Sequence, residues 1–408
     1  MTAETLLREA TALREFITEE RRALHQTPEP GFDTKNTLAQ VRQALEDMGL
    51  HPTECGRAGL TALIGGKKEG KVFLLRADMD ALPIRESSDV PFAAQNGNMH
   101  ACGHDLHTAM LLGAARLLKA HEEEICGTVK LMFQSAEEIF EGANDMIENG
   151  LLENPKVDAA MMIHVMAAMP FPAGTVIVSA PGVSAPAADY FEIRIQGQGC
   201  HGSMPDAGVD PLTAAAHILL ALQEINAREL AMDDRAVLTV GTLHGGTAAN
   251  AIPDSAVMGG SIRTFDEEIR ARIKRRLTEI AEGTAKVFRA EAAVTFGSGC
   301  PTLFNHADVV ACAETYTKEL LGPEKALSVA ALSAPGGGKG SKSAGSEDFA
   351  YVSQRVPSVM LALAAGQPEK GYAYPQHHPM VKFDESVLPV GSAVYAYMAL
   401  RWLEEHPN

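Results

Sequence analysis

Three imidazoles, a thiol and a carboxylate fall within eight residues of the run Met99-His100-Ala101-Cys102-Gly103-His104-Asp105-Leu106-His107. Burying so many polar groups is costly unless something binds them. Cys102 and His104, two apart on an irregular backbone, can point at one cation, with Gly103 permitting the tight path. Sulfur and imidazole donors also cluster at metals. The competing reading is a solvated helix N-terminus, with Asp105 as cap and Cys102 as a small core residue.

Four other short stretches carry similar chemistry. Gln134-Ser135-Ala136-Glu137-Glu138 ends an apolar strand, where adjacent carboxylates diverge, so one can bind metal while its neighbour faces substrate. Metal-assisted hydrolysis needs that division between an anchoring ligand and a base for the attacking water. A solvated acidic pair at a helix start is the alternative. His164 ends a second apolar strand, and Gln376-His377-His378-Pro379 lies in a late loop. Asp78-Met79-Asp80 ends an early strand, from which Asp80 can orient a ligand imidazole. Each signal is weak alone; their convergence on one sheet edge is the stronger argument. Two phosphate-loop decoys fail. Gly197–Gly202 fits the G-x-G-x-x-G spacing, but its strand alternates and Pro205 and Pro211 delay the helix. The Gly-rich run 336–343 lacks the Gly-Lys-[Ser/Thr] order.

The elements that must position these residues alternate. Helices are predicted near 3–26, 34–49, 105–121 and 141–150, with apolar strands at 72–75, 128–133 and 159–163. Helices near 307–321, 347–354 and 385–405 and a strand at 358–363 follow later, which reads as a mostly parallel sheet buried on both faces. The middle differs. Strand 189–196 alternates apolar and polar residues, and a helix near 210–229, strands 236–242 and 256–263, a helix 266–289 and a strand 291–295 follow. That order is the ferredoxin-like βαββαβ unit. The fold class is therefore α/β, a catalytic domain of residues 1–186 and 299–408 interrupted by an inserted domain at 187–298. The stretch 333–345, rich in Gly, Ser and Lys, reads as a loop.

The motifs together resemble the aminoacylase/carboxypeptidase group of dinuclear metallohydrolases, in the subgroup of hippurate hydrolases, N-acyl-amino-acid amidohydrolases and auxin-conjugate hydrolases. The matching stretches are Leu24–Phe32, Arg76–Pro83, His100–Asp105, Ala136–Glu138, Gly199–Asp206, Asn250–Asp254, Gly345–Phe349 and His377–Pro379. The resemblance implies two divalent metal ions, zinc or manganese with cobalt or nickel also tolerated, held by Cys102, His104, Glu138, His164 and His377. Cys102 would bridge, and His378 is the alternative to His377. It also implies Glu137 as general base, His201 assisting the carbonyl oxygen across a homodimer, and Asn250 and Arg263 holding the substrate carboxylate. The inserted domain looks like a lid that also dimerises. Ser135, Ile163 and the stretch Met166–Pro170 depart from the family pattern, the last by lacking an aromatic residue after His164.

The implied activity is hydrolysis of N-acyl-L-amino acids. The alternatives are a dipeptidase or carboxypeptidase of the same chemistry, and a non-catalytic binder of metal or amino-acid conjugates. Composition narrows the partners. With 35 Lys+Arg against 52 Asp+Glu the formal net charge is −17. An acidic surface disfavours sequence-independent nucleic-acid binding and leaves a small-molecule substrate. No apolar run reaches the ~18–20 residues of a membrane helix. Six scattered cysteines among 408 residues do not make a disulfide scaffold, and a reducing cytoplasm is the expected compartment.

Overall fold

The computed structural model describes residues 1–332 and 345–407. The expected Gly/Ser/Lys-rich loop therefore falls, apart from Gly345, outside the described residues. Two compact units emerge: one contains Met1–Ser184 with the segments from Phe304 onward and from Glu347 to the C-terminus, the other Ala185–Leu303.

The first unit is built on an eight-stranded sheet. Its order is Thr53–Glu54, Leu60–Gly65, Thr128–Gln134, Val72–Asp78, Ala159–Met166, Ser358–Ala364, Val176–Val178, Ala326–Ser328. The central strands run parallel: Val72–Asp78 pairs with both Thr128–Gln134 and Ala159–Met166, which in turn pairs with Ser358–Ala364. Every residue of Val72–Asp78 is buried, as a strand covered on both faces requires. Helix His104–Ala120 is buried almost all round, packed between the sheet and the helices Arg14–Gln26 and Leu388–Glu405. The helix expected over 3–26 is two, Ala3–Ala12 and Arg14–Gln26, joined at Leu13. Leu6, Ala10 and Ile17 enter the same core from both halves. Leu60–Gly65, unread from its short apolar run, adds an antiparallel strand beside Thr128–Gln134.

One local departure from regular pairing positions the site. The ladder between Val72–Asp78 and Ala159–Met166 stops at Arg76↔Met162, although each strand stays paired with its other neighbour to its carboxyl end. The two strands thus separate, and two side chains bridge the gap. Tyr395 Oη donates to Arg76 O (2.7 Å) and accepts from Ile163 N–H (3.0 Å). Two residues further along each strand, His107 Nδ1 donates to Asp78 Oδ1 (2.5 Å) while Nε2 accepts from Val165 N–H (2.8 Å). The mouth so opened is the crevice where parallel sheets place ligands.

The second unit is a four-stranded antiparallel sheet in the order Ala236–Gly245, Ser255–Thr264, Ala187–Gln196, Glu291–Cys300. Burial alternates along Ala187–Gln196, and Phe191, Ile193 and Ile195 meet Ile218, Leu222, Ile273 and Leu277 from helices Pro211–Glu224 and Glu267–Val287. This is the βαββαβ arrangement. Among the described residues no helix is long and apolar enough to cross a membrane.

Tyr395→Phe removes the hydroxyl that satisfies a buried N–H and a buried carbonyl. The expected loss is about 1–3 kcal/mol of stability, read as a lower urea midpoint with an unchanged slope.

Candidate metal centre

Gly103 sets the geometry of the first donors. It adopts φ +93°, and a Cβ there would come within 2.5 Å of Val165 Cγ2. The left-handed turn starts helix His104–Ala120 immediately after Cys102, so both side chains emerge on the crevice side. His104 Nδ1 donates to Asp80 O (2.8 Å), which fixes the tautomer and leaves the Nε2 lone pair facing forward. That Nε2 is buried with no hydrogen-bond partner among the described residues.

The other donors arrive from remote segments. His164, at the end of Ala159–Met166, donates from Nδ1 to Val165 O (2.7 Å), and its Nε2 lies 3.6 Å from Cys102 Sγ. Glu137 and Glu138 follow Ala136, whose φ of +61° is strained for a residue with a Cβ. Asp80 clamps this turn, its two carboxylate oxygens accepting from the N–H groups of Glu137 (3.0 Å) and Glu138 (3.2 Å). Asp80 thus orients His104 through its carbonyl and both glutamates through its side chain. His377 also takes a positive φ, +66°, and is tied down by its N–H to Ala101 O (2.9 Å). Its Nε2 stands 3.5 Å from Glu138 Oε1, a second buried atom without a hydrogen-bond partner. The neighbouring His378 instead stacks on Tyr374 and accepts from Met380 N–H.

Two donor trios share the thiol: Cys102, His104 and His164, and Cys102, Glu138 and His377, with the ligand atoms of each trio within 4.8 Å of one another. A third trio joins His104, Glu137 and Glu138. Asp78, His104 and His107 also cluster, but both nitrogens of His107 are spent in bridging the strands. Sulfur, imidazole and carboxylate donors with two orphaned buried atoms fit a pair of divalent cations.

The surrounding charge makes the same point. Arg76 is fully buried and paired with Asp78 (2.7 Å), Glu347 (2.9 Å) and Asp348 (3.0 Å), with Glu137 and Glu138 beside them. One guanidinium faces four carboxyl groups, those of Asp78, Glu347, Asp348 and Glu137. Burial, then Glu347, Glu138 and Asp348, holds the Glu137 carboxyl well above the usual carboxylate range. Burial pushes Glu138 up to about 7 and Asp348 up to about 8, while burial and the Glu138 charge push the Cys102 thiol up to about 12. These directions are the signature of a pocket short of positive charge, which cations would supply. Arg76, His107, Glu347 and Asp348 were not singled out as site residues from sequence. The Gly345–Phe349 motif was the available signal for the two acids.

In the inserted unit, His201 and Asn250 are brought together. His201 pairs with Ala251 in a short ladder, Gly202 N–H donates to Asn250 O (2.8 Å), and His201 Nδ1 accepts from Ser203 Oγ (2.8 Å). Arg263 lies elsewhere, its Nη2 donating to Tyr190 Oη (3.0 Å). Ser255 pairs with Gln196 beside the His201 turn and Arg263 pairs with Ala188 at the other end of the strand. Eight residues at ~3.3 Å each separate those ends by roughly 25–30 Å. Asn250 and Arg263 of one chain therefore do not converge on a single carboxylate.

The His107 bridge requires a neutral ring, because Nε2 accepts a hydrogen bond. Burial pulls its pKa down to about 4, against 6.5 for a free imidazole. The unfolded chain takes up this proton at higher pH than the folded one. Metal-free protein should therefore lose stability progressively as pH falls from about 6.5 to about 4. Urea titrations across that range should show a shallower loss for His107→Gln.

Residues 74–401 match the family model described as peptidase family M20/M25/M40. The chain is 36% identical over 395 residues to IAA-amino acid hydrolase ILR1-like 2 of Arabidopsis thaliana, covering 94% of this chain and 84% of that one. It is 35% identical over 389 residues to N-acetyl-L-cysteine deacetylase of Bacillus subtilis, covering 95% and 88% respectively. A solved Bacillus subtilis structure described as a dinuclear metal-binding peptidase of the M20 family superposes with a TM-score of 0.77 at 32% identity, over 97% of this chain and 99% of that one. Motifs, sheet and relatives agree: the chain belongs to peptidase family M20/M25/M40, within its amidohydrolase group, and is a hydrolase.

Proposed function

We propose that this enzyme cleaves the amide bond of N-acyl-L-amino acids, releasing a carboxylic acid and a free amino acid. The observation that carries the proposal is the meeting of five donors from four remote segments, Cys102 and His104, Glu138, His164 and His377, two of whose buried atoms, His104 Nε2 and Glu138 Oε1, lack a hydrogen-bond partner among the described residues. The N-acyl amino acid reading is supported by relatives named for an IAA-amino acid and for N-acetyl-L-cysteine.

In this reading the five residues hold two divalent cations, zinc or manganese, with cobalt or nickel compatible with the same donors. When bound, the cations supply Lewis acidity at the scissile carbonyl and acidify the attacking water. Glu137 takes the proton of that water and returns it to the departing amine nitrogen. Asp80 holds Glu137 and Glu138 at a fixed angle, so that one carboxylate serves a cation and the other the reaction. A non-catalytic binder would have no use for Glu137 in that place.

The substrate carboxylate is assigned to Arg263 of one subunit together with Asn250 of the partner subunit, and the developing oxyanion to His201 of the partner subunit. The 25–30 Å spacing within one chain supports this sharing. Strand Ala236–Gly245 is an edge of the inserted sheet, and its exposed Val237 and Leu243 support pairing with a second copy. Cys55, Cys102, Cys126, Cys200 and Cys312 are free thiols, which supports a reducing cytoplasm as the working compartment.

Enzyme loaded separately with each metal should hydrolyse N-acetyl or N-benzoyl amino acids faster than dipeptides; a preference for dipeptides would reassign it as a peptidase. Glu137→Gln should keep its metal by elemental analysis while kcat falls by ~10²–10⁴. Retained turnover would remove Glu137 as the base. Arg263→Ala and Asn250→Ala should each be nearly inactive. An equal mixture, re-paired at random, should regain about a quarter of wild-type activity, because one intact site forms in half of the dimers. A mixture no better than its components would refute sharing between subunits.

A further inference from the structure

Arg76 has a taker for each of its donor groups. Nε donates to Gln134 Oε1 (2.9 Å), Nη1 to Asp78 Oδ2 (2.7 Å), and Nη2 reaches both Glu347 Oε1 (2.9 Å) and Asp348 Oδ1 (3.0 Å). Glu137 is missing from that set. Among the described residues it makes no ion pair with Arg76 within 4.0 Å, although its carboxylate lies within 4.8 Å of those of Glu347 and Asp348. Its own contacts are loose: Oε1 accepts a long bond from Asp348 N–H (3.4 Å), and Oε2 stands 3.9 Å from His104 Nε2.

That arrangement needs an explanation. In a buried pocket an unpaired carboxylate beside a guanidinium is drawn toward it. Paired there, Glu137 would turn away from His104 and Glu138, and its lone pairs would be spent on Arg76. Glu347 stands in the way. Its carboxylate is buried and doubly fixed, accepting from Phe349 N–H (2.9 Å) as well as meeting Arg76. It fills the Nη2 position that Glu137 would otherwise take, and its charge repels Glu137 toward the crevice. Asp348 carries more of the local fold, since it also ties Gln134 and Ala143 N–H, so the spare contact belongs to Glu347.

We propose that Glu347 is a positioning residue that keeps the Glu137 carboxylate off Arg76 and turned toward the donor cluster. The proposal rests on the reading of Glu137 as the base. It concerns a side chain to which neither the motif comparison nor the relatives' names assign a role.

The test uses full-length, metal-loaded Glu347→Ala and Glu347→Leu. The leucine variant removes the acceptor without leaving a void, in case the alanine variant does not fold. Crystal structures of the variants should show the Glu137 carboxylate paired with Arg76 Nη2. Both variants should retain two metals per chain and a KM within about twofold, with kcat lower by ~10–100-fold. Glu347→Gln still offers an acceptor to Nη2 and to Phe349 N–H, and should recover about tenfold of that loss. Glu137 unmoved in the variant structures would overturn the proposal, as would a loss confined to KM or to metal content. If the wild-type enzyme hydrolyses no member of the substrate panel, the functional reading fails, yet the crystallographic comparison still decides the role of Glu347.

Discussion

A single buried guanidinium holds the carboxyl end of the sheet together. Arg76 sits at the last paired position between two separating strands and ties Asp78 on its own strand to Glu347 and Asp348 from the far end of the chain. Taking so many ions out of water costs several kcal/mol each, and one arginine cannot offset four carboxyl groups. The arrangement becomes reasonable only with further positive charge in front of it. The acids that pair with Arg76 form the back wall, and the donors facing the crevice, His104 Nε2 and Glu138 Oε1, are those left without a hydrogen-bond partner. Charge balance therefore couples fold to site: the same excess of acid that would destabilise an empty pocket favours the binding of cations.

The divergence of the strands creates the room. Regular pairing would have closed Asp78 against His164. Tyr395 and His107 fill the gap with hydrogen bonds in place of the missing ladder, so separation costs few orphaned backbone groups. Around the opening, three short segments are bent into conformations that aim side chains inward: Gly103 before His104, Ala136 before the glutamate pair, and His377 itself. Strain of this kind persists where the surroundings over-determine it, and here Asp80 and the Ala101 carbonyl do so.

The layered α/β architecture and the inserted βαββαβ unit were legible because burial period differs between them. A doubly covered strand such as Val72–Asp78 is apolar throughout, while Ala187–Gln196 alternates. The candidate donors stood out in the sequence because a thiol, imidazoles and adjacent acids are rare together at strand and helix ends, and the fold brings them into shared clusters. The supporting layer was not. His107 lies three residues from His104 and has the same chemistry, yet His107 donates from Nδ1 and accepts at Nε2 to bridge the strands, while His104 keeps Nε2 without a hydrogen-bond partner among the described residues. Nothing in residue type separates them; the difference lies in where Asp78 and Val165 N–H come to rest. Glu347 and Asp348 were invisible as site residues for a similar reason, since their partner Arg76 is more than 270 positions away, 272 for Asp348.

Strand length is the physical basis for the proposed division of substrate recognition between copies. A β-strand is a rigid ruler, and Ser255–Thr264 places Arg263 at one end with the His201–Asn250 turn beyond the other. An arginine side chain spans only about two residues' worth of that length, so reach cannot close the gap. Shortening the strand would bring the groups together but would strip Ala256, Met258 and Ile262 from the core that makes the unit fold. Two copies paired in opposite directions, as proposed, would present one end of each ruler to the other and would satisfy the core and the substrate at once. Under the proposed sharing, a dimer would be a condition for assembling the recognition site, while packing sets the length of the inserted strands.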